Sequence, residues 1–441
     1  VARGAAVRAR IRGHKSLTQR ALILASMADG ESRLGGLLHG GDAASTARAL
    51  RALGANLPPL PSDGGEIRVR GVGLKGLCAP SARLDLRNSG TGTRLLMGVL
   101  AGCEAEATLT GDTSLRKRPM ARVIVPLTAM GARFRYLGEV DRLPVRVKGR
   151  RPLHPIDWPS PVASAQVKSS ILLAGLTGGA FALVTEPRQS RDHTERMLRS
   201  VGVSVVDHAV GEGWRVEMRD PPEAIAPLDF DVPGDISSAA FLFAVAAMGG
   251  AGEEGITVER VGLNPTRTAF IDVLKRMGAD ITLWRDTGSD GPDREPVGDV
   301  TVQPGDLRGT TVSGDEIPRL IDELPLVAVL GARARGTTRI SDASELRTKE
   351  SDRIAAVVRN LRGLGVQVAE YEDGLEVLGT EEPLRGRVQT FEDHRIAMSF
   401  GLLNTLRSCH VEVDDPQVAS VSFPGFWELM TEVERAGRRS G

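Results

Sequence analysis

Six segments of this chain close an amphipathic stretch on a small or apolar residue followed by glycine: Leu53-Gly54, Met130-Gly131, Val201-Gly202, Met277-Gly278, Leu364-Gly365 and Ala436-Gly437. Glycine suits the left-handed position that ends a helix. Successive glycines lie 77, 71, 76, 87 and 72 residues apart. A second series keeps step with the first. Polar, turn-forming residues lead into apolar runs at Lys15-Ser16, Asn88-Ser89-Gly90-Thr91, Ser164-Ala165-Gln166, Gly234-Asp235-Ile236, Asp322-Glu323 and Asp393-His394-Arg395. Ser, Asn and Asp cap helix N-termini. Two interleaved series of this kind imply internal duplication along the whole chain.

A period of about 75 residues exceeds a solenoid repeat, which runs roughly 20–50 residues. It holds about two helices and three or four strands of average length. The chain therefore reads as six α/β units, three in each of two domains, as its 441 residues also suggest. The helices look apolar enough to be buried. The strands alternate as if one face met water, the reverse of the common α/β arrangement. If the capped helix starts converge, so do their free N–H groups and positive dipole ends, and that makes an anion site.

Such a site has to be built locally, because Lys+Arg and Asp+Glu both number 56 and formal net charge is zero. A general polyanion binder carries a basic excess. Cys78, Cys103 and Cys409 are scattered, without CxxC spacing. This points to inert thiols in a reducing compartment, not disulfides or structural zinc. The stretch Val1 to Gly13 has no apolar core, and no run of about 18 apolar residues occurs. A cytoplasmic protein without secretory signal or membrane span is expected.

Charged groups gather at the punctuated turns. Lys15, Ser16 and Arg20 stand at the first opening, with Ser16 and Arg20 four apart on one helix face. Arg118 precedes another helix. Ser164, Gln166 and nearby Lys168 form the third opening, and Arg191 follows. Lys349 and Arg353, four apart, are expected to share a helix face, with Glu350 beside them; Arg395 sits at the last opening. Taken singly, each is an exposed charge of the ordinary kind. Together they suit a ligand pair with several negative charges. Asp322 and Glu350 within this set are acid–base candidates. Asp322 has a second reading as the N-cap of the helix after it.

Seven segments resemble the motifs of the EPSP synthase (3-phosphoshikimate 1-carboxyvinyltransferase) family, in its bacterial class II subgroup. They are His14-Lys15-Ser16 through Arg20, Asn88-Ser89-Gly90-Thr91 through Arg94, Arg118-Pro119-Met120, Ser164-Ala165-Gln166-Val167-Lys168, Arg191-Asp192-His193-Thr194-Glu195, Lys349-Glu350-Ser351-Asp352-Arg353 and Asp393-His394-Arg395. The resemblance implies a two-domain inside-out α/β barrel of six βαβαββ-like units. It implies one domain at 14–233 and another joining 1–13 to 234–441, with the active site in the cleft between them. It implies transfer of the enolpyruvyl group of phosphoenolpyruvate to the 5-hydroxyl of shikimate 3-phosphate, a step of aromatic amino-acid biosynthesis. No metal, organic cofactor, nucleic acid or membrane is implied, and a monomer is expected.

Carried over residue by residue, Lys15, Ser16, Arg20, Ser164, Ala165, Gln166, Arg191, Asp322 and Lys349 are expected to meet shikimate 3-phosphate. Lys15, Gly90, Arg118, Gln166, Arg353 and Arg395 are expected to meet phosphoenolpyruvate. Asp322 becomes the base on the hydroxyl and Glu350 the group that exchanges the C3 proton, with Lys15 assisting. Gly90 implies sensitivity to glyphosate. His14 and Arg12 stand where many members have a small or acidic residue and proline, and Val421 replaces a lysine that some members carry. A UDP-N-acetylglucosamine enolpyruvyl transferase is the nearest alternative, but the segment Gly111 to Arg118 lacks that family's cysteine. A paralogue with a modified acceptor and an RNA-end-binding fold relative are further alternatives.

Overall fold

The computed structural model describes residues 6–439. The chain divides into two compact units. The first comprises Arg12–Val232 and Asp290–Glu295; the second comprises the stretch ending at Ile11, Pro233–Ser289 and the chain from Pro296 onward. Twelve helices of eight or more residues are described. In the first unit they are Lys15–Met27 (α1), Gly41–Ala52 (α2), Gly90–Ala101 (α3), Ala121–Ala129 (α4), Ala165–Gly178 (α5) and His193–Ser200 (α6). In the second they are Ile236–Ala247 (α7), Ala269–Met277 (α8), Leu324–Arg333 (α9), Arg353–Gly363 (α10), His394–Gly401 (α11) and Phe426–Arg439 (α12).

The six turn-to-helix openings read from the sequence start the odd-numbered helices. These are the inner ones: α7 and α11 are buried at every position, and α1 at every position from Leu17 to Met27. Even-numbered helices such as α6 and α8 bury one face, which is the pattern of a helix between core and solvent. The inner helices approach closely. At Gly98 of α3 an added Cβ would lie 2.3 Å from the Ser170 carbonyl oxygen of α5, so only glycine fits that crossing.

Six sheets are described, and the fuller ones share one plan. Leu84–Asp85 runs parallel to Glu106–Thr110, which pairs antiparallel with Val145–Lys148, and that strand with Arg133–Tyr136. With α3 and α4 between them, these strands make a βαβαββ unit. Strands alternate, as in the buried–exposed pattern of Val145–Lys148, so one face covers the helices and the other meets water. The last unit is shorter, with the two-stranded pair Arg385–Val388 and His410–Val413.

Strand exchange explains how the chain is divided. Val7–Arg10 precedes α1 but runs parallel to Ile256–Gly262 of the second unit. Asp229–Asp231 precedes α7 but runs parallel to Glu31–Gly35 of the first. Each unit keeps its own apolar core, one built on residues from Leu17 to Val232 and one on Ala9, Ile11 and residues from Ile236 to Val433. No helix among the described residues is long and apolar enough to cross a membrane.

Five of the six punctuating glycines, 54, 131, 202, 278 and 365, have φ between 85° and 104° and follow α2, α4, α6, α8 and α10. Gly437 does not end a helix; α12 runs through it. Its reason is packing: a Cβ there would lie 2.9 Å from the Gly250 carbonyl oxygen.

Candidate active site

The first unit gathers most of the expected anion contacts at the starts of α1, α3, α5 and α6. His14 caps α1: its Nδ1 accepts from the backbone N–H of Ser16 at 3.1 Å and of Leu17 at 3.3 Å. A ring nitrogen thus does the work of the usual Ser or Asp oxygen, and it fixes the turn that presents Lys15 and Ser16. The His14 ring meets His193 edge-on at 5.0 Å, and His193 Nδ1 lies 2.7 Å from Glu295 Oε1. Arg196 and Arg199 of α6 donate to the carbonyls of Gly291, Pro292 and Arg294. The segment Asp290–Glu295 is therefore held by α6.

Arg20 is buried and fully directed. It donates from Nε to Thr194 Oγ1 at 2.7 Å, from Nη2 to Ser169 Oγ at 3.0 Å, and from Nη1 to the Ser16 hydroxyl. The expected shared face of Ser16 and Arg20 is thus a contact. Burial pushes the Arg20 guanidinium down to about 10, with Glu195 opposing and Arg191 adding to the effect. Lys15 Nζ lies 3.1 Å from Asp42 Oδ2.

Gly90, Arg118 and Gln166 come together with two arginines that the sequence reading left out of the contact set. Arg94 and Arg122 both donate to Gln166 Oε1 at 3.0 Å, while Gln166 Nε2 donates to Thr91 Oγ1 at 3.1 Å. Arg118 donates to the Asn88 side chain. A Cβ at position 90 would stand 2.9 Å from Arg94 Nη1 and 3.1 Å from Arg118 Nη1. Gly90 therefore leaves space at a cluster of guanidinium groups, the arrangement that suits carboxylate or phosphate. Arg94 could have been found from its place one turn after Gly90. Arg122 carried no comparable signal.

In the second unit Arg353 is the hub. Its side chain is 2% exposed; Nε donates to Asp393 Oδ2 at 2.8 Å, Nη2 to Glu350 Oε2 at 2.8 Å, and Nη1 lies 3.5 Å from Asp322 Oδ1. Asp393 also caps α11 by accepting from the Arg395 N–H at 2.8 Å. Burial pushes the Asp393 carboxyl up, but Arg353 outweighs it and holds the group below the usual carboxylate range. Burial also works against the Arg353 cation; Asp393 and Glu350 override it and raise its pKa. Arg395 donates to the Ser237 carbonyl at 3.2 Å and stands 5.7 Å from the centre of the Phe241 ring. Behind it, buried Arg267 donates to Ser237 Oγ at 2.5 Å and to Glu323 Oε1 at 3.2 Å.

Two local expectations are corrected. Lys349 and Arg353 do not share a helix face: α10 begins at Arg353, because Asp352 caps it by accepting from the Ala355 N–H at 3.0 Å. Lys349 precedes that cap and reaches back to Glu345 Oε1 at 3.0 Å. Asp322 is not an N-cap; Glu323 occupies that position before α9, and Asp322 faces Arg353.

The chain that carries these two sets of residues matches a known family over nearly its whole length. The sequence profile of EPSP synthase (3-phosphoshikimate 1-carboxyvinyltransferase) matches residues 4–430. The chain belongs to the EPSP synthase family. It is 46% identical over 422 residues to the 3-phosphoshikimate 1-carboxyvinyltransferase of Desulforamulus reducens, covering 96% of this chain and 95% of that protein. With the protein of that name from Gloeobacter violaceus the identity is 45% over 426 residues, 96% of each. The solved EPSP synthase of Acinetobacter baumannii superposes with a TM-score of 0.81 at 37% identity, covering 98% of this chain and 97% of the other. The enolpyruvyl transferase NikO of Streptomyces tendae shares the fold, with a TM-score of 0.71 at 19% identity over 98% and 96% of the two chains. This family member is thus a transferase homologue with the two-domain inside-out α/β architecture. Its Cys103 is buried, with the thiol pushed up to about 12 by burial, too high for a nucleophile near neutrality.

Proposed function

We propose that this EPSP synthase family member transfers the enolpyruvyl group of phosphoenolpyruvate to the 5-hydroxyl of shikimate 3-phosphate, releasing phosphate. The observation that carries the reading is Arg353, which gathers Asp322 and Glu350, the expected base and proton-exchanging acid, around one guanidinium. Lys15, Ser16, Arg20, Ser164, Ala165, Gln166, Arg191, Asp322 and Lys349 bind the acceptor. Lys15, Gly90, Arg118, Gln166, Arg353 and Arg395 bind the donor. Arg94 and Arg122 join the donor group through Gln166.

Asp322 takes the proton of the 5-hydroxyl as its oxygen attacks C2 of phosphoenolpyruvate, while C3 gains a proton. The resulting tetrahedral adduct loses a C3 proton and phosphate to give the enol ether. A donor carboxylate competing for Arg353 would free Glu350 for the proton at C3, with Lys15 assisting. The clustered guanidinium groups offset charge growing on the departing phosphate.

Phosphate release with shikimate 3-phosphate, set against UDP-N-acetylglucosamine as acceptor, tests the reading. Turnover is expected only with the first; turnover with the second alone overturns it. Asp322→Asn is expected to lower kcat by about 10²-fold or more while leaving the far-ultraviolet circular dichroism unchanged. Near-normal phosphate release from that variant removes Asp322 from the mechanism.

A further inference from the structure

One buried ammonium with two buried carboxylates lies behind the acceptor residues of the first unit, and the chemistry above leaves it without a role. Lys168 of α5 places Nζ 2.9 Å from Glu186 Oε2 and 2.8 Å from Glu195 Oε1, with all three side chains at 0% exposure. Glu186 ends the strand Ala182–Glu186, and Glu195 belongs to α6.

The connections run to both turns that carry acceptor residues. Glu186 Oε1 accepts from the Ser164 N–H at 3.0 Å and from Ser190 Oγ at 2.8 Å. Lys168 Nζ also reaches the Ser190 carbonyl at 3.4 Å. Ser164 opens α5, and Ser190 immediately precedes Arg191. Thr194, next to Glu195, accepts from Arg20 Nε. A buried ion cluster is weak evidence for stability, since apolar residues of similar volume often do as well. Here its hydrogen bonds are spent on fixing the positions of Ser164 and Ser190.

We propose that Lys168, Glu186 and Glu195 are positioning residues that hold Ser164 and Arg191 at the spacing a phosphorylated, polyhydroxylated acid requires, and so set acceptor affinity. Glu195 makes that affinity sensitive to pH. Two fully buried carboxylates, Glu186 and Glu195, share the one Lys168 ammonium. The groups facing Glu195 are Lys168 from α5, Asp192 from the start of α6 and Arg20 from α1. Arg20 also senses Arg191 and Glu295. Burial, the largest influence, pushes the Glu195 carboxyl up to about 7; Lys168 pulls it down and Asp192 raises it. Ionisation of Glu195 adds negative charge beside Arg20 and weakens the hold on an anionic acceptor.

The test is steady-state kinetics of the full chain from pH 6 to 8, varying shikimate 3-phosphate and phosphoenolpyruvate in turn. Titration of the acceptor's own phosphate affects every variant alike, so the ratio of parent to Glu195→Gln is the quantity read. That ratio of acceptor KM is expected to rise about threefold or more with pH, while the ratio of donor KM stays flat. Lys168→Met is expected to raise acceptor KM about tenfold with kcat within about threefold, and Lys168→Arg to recover part of the loss. A flat acceptor ratio for Glu195→Gln overturns the assignment, as does a Lys168→Met variant in which kcat and both KM values change together. If Lys168→Met does not fold, the Glu195→Gln ratio decides. The inference rests on the reaction proposed above, and the two fail differently: a parent that turns over no shikimate 3-phosphate sinks that reaction, whereas turnover with a flat ratio sinks the positioning role.

Discussion

Gly90 is a position at which one missing atom is expected to set ligand discrimination. A methyl group there meets the ends of two flexible guanidinium side chains, Arg94 and Arg118, at 2.9 and 3.1 Å. Both can move by a few tenths of an ångström, so Gly90→Ala should fold normally and shift the donor group instead. We expect glyphosate to inhibit the parent at micromolar concentrations. Gly90→Ala should raise its half-inhibition concentration by about tenfold or more, on the order of 1.4 kcal/mol per decade, with a smaller rise in phosphoenolpyruvate KM. Equal inhibition of the two proteins would rule out this account. Glu195 governs stability by the same local logic. Its carboxyl is raised to about 7 by burial, against roughly 4.3 in an unfolded chain. Between those values the folded chain keeps a proton that the unfolded chain releases, so this contribution to stability is complete below about pH 4.3 and is lost as pH rises through 7. Its size is on the order of 4 kcal/mol. Urea unfolding of the parent and Glu195→Gln at pH 5 and pH 7.5 reads it: the variant should gain on the parent as pH rises.

At the scale of elements, the helix starts were legible because capping chemistry is local. Asp235, Asp352 and Asp393 each accept from a backbone N–H at the head of their helix, and the punctuation before apolar runs marks these points in the sequence. The same local chemistry misled where it was read one residue off. Four-residue spacing put Lys349 and Arg353 on one face, but the Asp352 cap starts the helix between them. Gly437 has the look of a helix end and serves as a contact point under α12. The Arg353 hub was not legible, because Asp393 lies 40 residues away and only the fold brings it to 2.8 Å. His14 is instructive: expected from the sequence to depart from the family's usual residue at this turn, it supplies the cap by a ring nitrogen. His14→Ala is expected to cost about 1 kcal/mol of stability and His14→Asn a few tenths or less. Denaturant unfolding measures both; equal losses would show that the ring's packing against His193, not its Nδ1, is what matters.

For the molecule as a whole, the chain's path carries the argument. It passes between the two units at Ile11–Arg12, at Val232–Pro233 and on either side of Asp290–Glu295, yet the two apolar cores share no residue. Exchange of the strands Val7–Arg10 and Asp229–Asp231 makes each unit depend on a segment that lies next to the other in sequence. Folding of either unit therefore requires chain from both ends of its crossovers, while the energy of packing stays separate. Phe243 is fully buried in one core and Leu172 in the other. Truncating either to alanine costs about 3 kcal/mol or more, which for a unit of roughly 200 residues lowers the melting temperature by about 6–12 °C. Scanning calorimetry without ligand should then resolve two transitions, Phe243→Ala lowering one and Leu172→Ala the other. If both variants instead lower a single shared transition by the same amount, the strand exchanges and the Asp290–Glu295 segment couple the cores into one cooperative unit, and separate packing does not confer separate stability.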